Sequence, residues 1–264
     1  MKKWMMVTVL LIAMFTLAGC YKTVQLNLTD LKALTATFDE PINFTYTVDH
    51  TTGNVKTDGI KGDIVIKVNL TDPDKHKIQI SSNVQMTLAN FSGTTTKRAW
   101  LEDNVFVKDN IQYERYYDAE QLGTDDKQVN DNRKDKYVYV ARDLEEEYEG
   151  IYRTLPIVLP FLISQYEGHI FDALDNITVE KSGKNYRVTG EFKASILGYQ
   201  DTVDEMNSKV AIEFDDKQMK SFDIRIWGVL SAAEGVNFET KIIVDFVSAV
   251  RITYPSFRGY EFVN

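Results

Sequence analysis

Apolar and polar residues alternate one for one over much of this chain, and that pattern restricts its fold more than any other feature. Ile42, Phe44, Tyr46 and Val48 alternate with Asn43, Thr45 and Thr47, and Ile60, Ile64, Ile66 and Val68 with Lys61, Asp63, Lys67 and Asn69. After the Asp72-Pro73-Asp74 turn, Ile78, Ile80, Val84, Met86 and Leu88 form a third run. Successive side chains of a strand point to opposite faces, so a period of two marks antiparallel strands with one face buried. Shorter strands are expected around 95–101, 104–108, 111–117 and 137–141. The second half repeats the theme with Tyr186, Val188 and Phe192, then Val210, Ile212 and Phe214. The Asp215-Asp216 turn leads to Phe222, Ile224 and Ile226, and Val236, Phe238, Ile242, Val244 and Phe246 close the run before a short strand at Val250–Tyr254. Long runs joined by single turns read as hairpins.

Two stretches depart from this pattern. Thr29 or Asp30 is placed to cap a short helix carrying Leu31, Leu34 and Phe38 on one face, with Pro41 ending it. In the middle of the chain, Asp143 is placed to cap a helix whose first turns hold Glu145, Glu146, Glu147 and Glu149, acids that suit the positive end of a helix dipole. The uncharged run Leu155–Ile163 follows, interrupted by Pro156 and Pro160, and apolar residues continue through Ile170, Phe171 and Leu174. It is too short to cross a bilayer, and two prolines kink or break a helix. Apolar nearly all round, it requires apolar contact on more than one face. Such a segment either plugs a core or lines a lipid-sized cavity. The charged stretch 118–136 reads as a loop.

Cysteine occurs once, at Cys20, which excludes an intrachain disulfide, an all-cysteine zinc site and a CxxC redox centre. Ahead of it, Lys2 and Lys3 precede a run from Trp4 to Ala18 broken only by Thr8 and Thr16, the layout of a secretory signal. Leu17-Ala18-Gly19-Cys20 resembles the lipobox of bacterial lipoproteins. That resemblance implies cleavage before Cys20 and a diacylglycerol on its thiol, which anchors the protein to the extracytoplasmic face of a membrane. The expected organisation is a signal peptide over 1–19, a lipidated N-terminus and tether over 20–28, and a single β-rich domain over 29–264. Loss of Lys2 and Lys3 would move the formal net charge from −9 to about −11. A chain this acidic lacks the Lys/Arg surplus that binds nucleic acid or grips anionic lipid.

No catalytic constellation assembles. His50, His76 and His169 have no His or Cys at ligand spacing, and HExxH is absent, so neither a metal nor a cofactor is expected. Ser195 lies in Lys193-Ala194-Ser195-Ile196, which is not a nucleophile elbow. The expectation is a protein that is not an enzyme, although carboxylates on distant strands leave glycosidase-like chemistry open.

The succession of lipobox, short helix, long hairpins, proline-bearing apolar helix and further hairpins resembles the LolA/LppX family of bacterial lipid- and lipoprotein-carrier domains, over about residues 29–258. The most local similarity is Val250-Arg251-Ile252-Thr253-Tyr254-Pro255, similar to the family's closing hydrophobic-x-hydrophobic-x-x-Pro. The resemblance implies an α+β, β-rich fold: a strongly curved antiparallel sheet, an unclosed barrel, with a few helices covering its concave face and acyl chains held in the hollow. On that reading the protein binds or shuttles a lipid or other hydrophobic ligand. Ile157, Val158, Leu159, Phe161 and Leu162 would pack over Ile224, Ile226, Phe238, Ile242 and Val244 with the ligand between them, and Gly150 and Gly168 would act as hinges. The alternative is a surface-anchored module that contacts a protein or glycan through its fourteen tyrosines and the charged 118–136 stretch.

Overall fold

The alternating runs become one antiparallel sheet in the computed structural model, which describes residues 21–36, 38, 43–54, 58–72, 77–89, 96–123, 137–143, 169–197, 203–230 and 236–263. The first meander consists of β2 (Asn43–Asn54), β3 (Asp58–Asn69), β4 (Lys77–Ala89), β5 (Thr96–Lys108), β6 (Ile111–Gly123) and β7 (Val138–Asp143). The second consists of β8 (Leu174–Ser182), β9 (Asn185–Phe192), β10 (Val203–Phe214), β11 (Met219–Leu230) and β12 (Val236–Phe246). Pairing of β12 with β2 joins them. Two short strands complete the described sheet. β1 (Lys22–Val24) pairs antiparallel with β8 at one edge, and β13 (Glu261–Phe262) pairs parallel with β7 at the other. The edges do not pair with each other, so the sheet is open. No helix among the described residues is long and apolar enough to cross a membrane.

Register carries the alternation across both meanders. Val188, Ile212, Phe222, Val244, Tyr46 and Ile66 lie side by side on six adjacent strands, and all six are buried. The opposite face at the same level carries Arg187, Glu213, Ser221, Asp245, Thr45 and Lys67. A helix, α1 (Leu28–Thr35), packs on the apolar face, with Leu31 fully buried in the core and Leu28, Leu34 and Phe38 against it. Phe38 meets Phe214 at 5.7 Å between ring centroids, and Phe171 of the 3-10 turn Ile170–Ala173 meets the same ring at 6.2 Å. Lys32 of α1 pairs with Asp172 of that turn at 2.5 Å, and the Thr35 hydroxyl lies 3.1 Å from His169 Nε2. A second, one-turn helix, α2 (Ala194–Leu197), links β9 to β10. Every described strand and all of the main core cluster fall within residues 22–263, so this part of the chain contains its own core.

Several expectations change. The helix cap is Asn27, not Thr29 or Asp30. Its side chain accepts from the Asp30 N–H at 2.9 Å, and the Asp30 carboxylate accepts from the Asn27 N–H at 3.2 Å, a reciprocal box that satisfies two donors at once. Lys22–Val24, expected in a tether, is an edge strand. The strands expected at 95–101 and 104–108 are one, β5, and the strand expected at 111–117 runs on to Gly123, taking 118–123 out of the expected loop. Asp109 and Asn110 join β5 to β6 with left-handed φ of 54° and 62°, as a tight two-residue hairpin turn requires. Asp143 ends β7, and Ile170–Ala173 is a 3-10 turn with Leu174 opening β8 rather than a continuation of a long helix. Val250–Tyr254 forms no strand. It belongs to a strap that crosses the sheet end, where Asn43 and Asn69 donate to the carbonyls of Ser248 and Val250 at 3.1 and 3.2 Å. The strap then runs over the polar face, where Tyr254 donates to Val107 O at 2.9 Å and Phe257 stacks on Tyr113 at 3.8 Å.

Truncating Leu31 to Ala should destabilise the fold by about 2–4 kcal/mol, because a fully buried leucine leaves a cavity. Asn27→Ala removes the cap and should cost about 1 kcal/mol. Urea unfolding followed by circular dichroism measures both, and a Leu31→Ala loss no larger than that of Asn27→Ala would show that α1 is not packed as described.

Candidate functional site: the partly covered apolar face

Burial along the apolar face falls from β10 to β3. One register line joins Val210, Ile224, Ile242, Val48 and Ile64 from β10 to β3, then Ser82, Asp103, Tyr116 and Val138 from β4 to β7. Val210 and Ile224 are fully buried, Ile242 is 6% exposed, Ile64 is 36% exposed and Val138 is 42% exposed. The cause is the placement of the cover. Both α1 and the 3-10 turn dock beside Phe214 of β10, so the described cover lies at the β9–β10 side. On β3 and β4, Ile64 is exposed and Ile60 and Val84 are half-buried.

The expected sheet residues are brought together on this face. Ile224 opposes Ile242 directly, Val244 opposes Phe222, Ile226 opposes Thr240 and Phe238 opposes Gly228. They divide into two groups, however. Ile224, Ile242 and Val244 are buried in the core, whereas Ile226 and Phe238 are half-buried and border the open part. Cys20, Ile157, Val158, Leu159, Phe161 and Leu162 lie outside the described residues, as do Gly150, Gly168, His76 and the helix expected after Asp143.

Polar groups on this face were missed by the sequence reading. His50, next to Thr240 in register, has Nδ1 2.8 Å from the Thr240 hydroxyl and Nε2 2.8 Å from the Thr52 hydroxyl. Burial holds its pKa below the ordinary histidine range, so the ring is neutral near pH 7. The register neighbour Gly62 places no side chain between His50 and Val84. On β5, Asp103 occupies an apolar-face position between Ser82 and Tyr116. Burial, and then the nearby Glu114 carboxylate, push its pKa up to about 6, with the Asn104 backbone N–H opposing the rise. Its Oδ1 is buried without a hydrogen-bond partner. Glu114 is bonded to Arg142 at 2.6 Å, and Gln112, only 8% exposed, also has a buried Oε1 without a partner. The signal for Asp103 was present in the sequence as the polar run Glu102-Asp103-Asn104, which interrupts the alternation.

The polar face has its own concavities. A groove of about 590 Å³ is bordered by Asp49, Thr51, Trp227, Glu239 and Lys241, with Phe238 at the strand ends. A second, of about 350 Å³, lies among Arg187, Lys209, Arg225 and Lys241, with Asp223 and Glu239. Arg225 is bonded to Glu239 at 2.7 Å and stacks over Trp227 at 5.0 Å. Among the described residues, no group of three or more His, Cys, Asp and Glu side chains is placed to hold a metal ion. Compared with known proteins, the chain matches no protein-family model and no curated protein at a significant level.

Asp103 makes a pH prediction with a definite sign. Its folded-state pKa lies above the ordinary 3.8, so its contribution favours folding below about pH 4 and is lost as the pH rises through about 6. Two units correspond to about 3 kcal/mol unscreened, and partial exposure reduces this to on the order of 1 kcal/mol. Asp103→Asn should therefore gain on the wild type by about 1 kcal/mol between pH 4 and pH 7, measured by urea unfolding at each pH. A constant difference over that range would place the carboxylate in ordinary solvent.

Proposed function

We propose that the protein is a membrane-anchored lipoprotein whose sheet binds or carries a lipid or another hydrophobic molecule. The observation that carries this reading is the apolar face itself, which extends over β3 and β4 beyond what α1 and the 3-10 turn cover. An apolar sheet face left partly exposed suits an apolar ligand, and small-molecule sites are mostly apolar with few polar groups. Ile60, Ile64, Val84, Ile226 and Phe238 supply the apolar lining, and His50 and Asp103 the polar groups. In this reading the sheet curves around the ligand as in the LolA/LppX carriers. Cys20 carries the diacylglycerol anchor, and the protein works at the extracytoplasmic face with no catalytic step. A second reading, a glycan-binding module, is favoured by one observation: the polar-face groove combines Trp227 with Asp49, Thr51 and Glu239, the mixture of aromatic and hydrogen-bonding groups that suits a sugar.

Native mass spectrometry of residues 21–264 tests the carrier. Co-purified lipid should be lost in Ile64→Glu, which places a charge in the open part of the face at a position exposed enough for the fold to survive, as checked by circular dichroism. An empty wild-type domain that takes up no fluorescent fatty acid would sink the reading. The anchor is tested separately in a bacterial host by fractionation. The wild type should be found in membranes and label with palmitate, whereas Cys20→Ala should do neither, and equal labelling of both would remove Cys20 from the role.

A further inference from the structure

The open part of the apolar face ends, in register, on a charge. Across β3, β4 and β5 the line runs Ile64, Ser82, Asp103, so with adjacent strands about 4.8 Å apart the carboxylate stands roughly 10 Å from the isoleucine. A chain lying across the strands on Ile64 and Val84 would bring a terminal group to Asp103. The two charges nearest on this face are bonded to each other: Glu114 accepts from Arg142 on β7 at 2.6 Å, while the Arg142 Nε is left without an acceptor. Among the described residues Asp103 has no cationic partner, and its Oδ1 is buried without a donor. A buried acceptor without a donor is costly, and a buried charge needs a partner.

We infer that this end of the face is the headgroup subsite of the proposed carrier, and that it selects amphiphiles bearing a primary ammonium over those bearing a carboxylate. The inference rests on the carrier reading and deepens it. The ammonium has three donors and no acceptor, which matches a carboxylate oxygen that lacks a donor. It also supplies the positive charge that Asp103 lacks, in a partly desolvated position where a charge-assisted hydrogen bond is strong. A carboxylate head would meet Asp103 with like charge, and an uncharged alcohol would gain neither penalty nor full pairing.

Dodecylamine, dodecanol and dodecanoate, each below its micellar concentration, are titrated into residues 21–264 at pH 7.5 by calorimetry. The wild type should bind the amine at least tenfold more tightly than dodecanoate, with the alcohol between them. Asp103→Asn should bring amine and dodecanoate to within threefold of each other while leaving dodecanol binding unchanged. Asp63→Asn, the same change of charge on the polar face, should keep the full preference. Equal binding of all three by the wild type, or a preference that survives Asp103→Asn, would overturn the headgroup assignment while leaving the carrier intact. Failure of all three to bind would overturn both.

Discussion

Everything in this sheet depends on the pairing of β12 with β2. Each meander pairs strands that follow one another in the chain, but the seam joins residues as far apart as Phe44 and Phe246, 246 − 44 = 202 positions along the chain. Its apolar rungs, Val244 on Tyr46 and Ile242 on Val48, make one continuous face from two separate ones. Closing so long a loop costs only slowly growing entropy, so the burial of these side chains, about 1.5–3 kcal/mol each, suffices to hold it. The seam is also locked from the end. Asn43, 3% exposed, accepts the Val247 N–H through its carbonyl and donates from its side chain to Ser248 and to Thr71. That lock turns the chain out of β12 and into the strap, which delivers Tyr254, Phe257 and Tyr260 to the far side of the sheet.

The uneven cover on the apolar face follows from this connectivity. α1 leaves β1 at the β8 edge, and the 3-10 turn leads directly into β8, so both reach the face from the same side. The Lys32–Asp172 pair and the Thr35–His169 contact tie them to each other rather than to the first meander. On the β5–β7 side the described cover is on the opposite face, where the strap packs its aromatic rings on Phe106 and Tyr113. One sheet is thus capped on different faces at its two ends, and among the described residues neither cap reaches the apolar surface around Ile64.

Period-two alternation made the strands legible because burial of one face imposes it residue by residue, and it placed Ile224, Ile242 and Val244 together correctly. It could not reveal which strands are neighbours, since the β12–β2 seam leaves no local trace. The helix cap was misplaced by two or three residues because Asn27, Thr29 and Asp30 are all capable caps, and only the reciprocal geometry of Asn27 with Asp30 decides among them. β5 read as two pieces because Glu102-Asp103-Asn104 looks like a turn. The strand continues because Glu102, on the polar face, is held by Arg115 at 2.7 Å and by the Tyr137 hydroxyl at 2.9 Å, contacts supplied by strands that the local sequence does not contain. The strap was invisible for the same reason: its aromatic partners lie more than a hundred residues upstream.

Asp103 is the residue that neither hairpin geometry nor core packing explains. Pairing alone would be served as well by a valine there, since its register neighbours on the same strand, Val105 and Val107, face the same way. A carboxylate in that position raises its own pKa, leaves an oxygen without a donor and weakens the folded state above pH 6. Sequences specify a fold when local choices agree with it, and the positions where they disagree are where function is expected. Asp103 lies on the register line that runs from the fully buried Val210 and Ile224 to the exposed Ile64. A cationic group brought there by an apolar tail would relieve the desolvated charge and cover Ile64 in a single binding event, so the cost to folding and the affinity for the ligand have one physical origin.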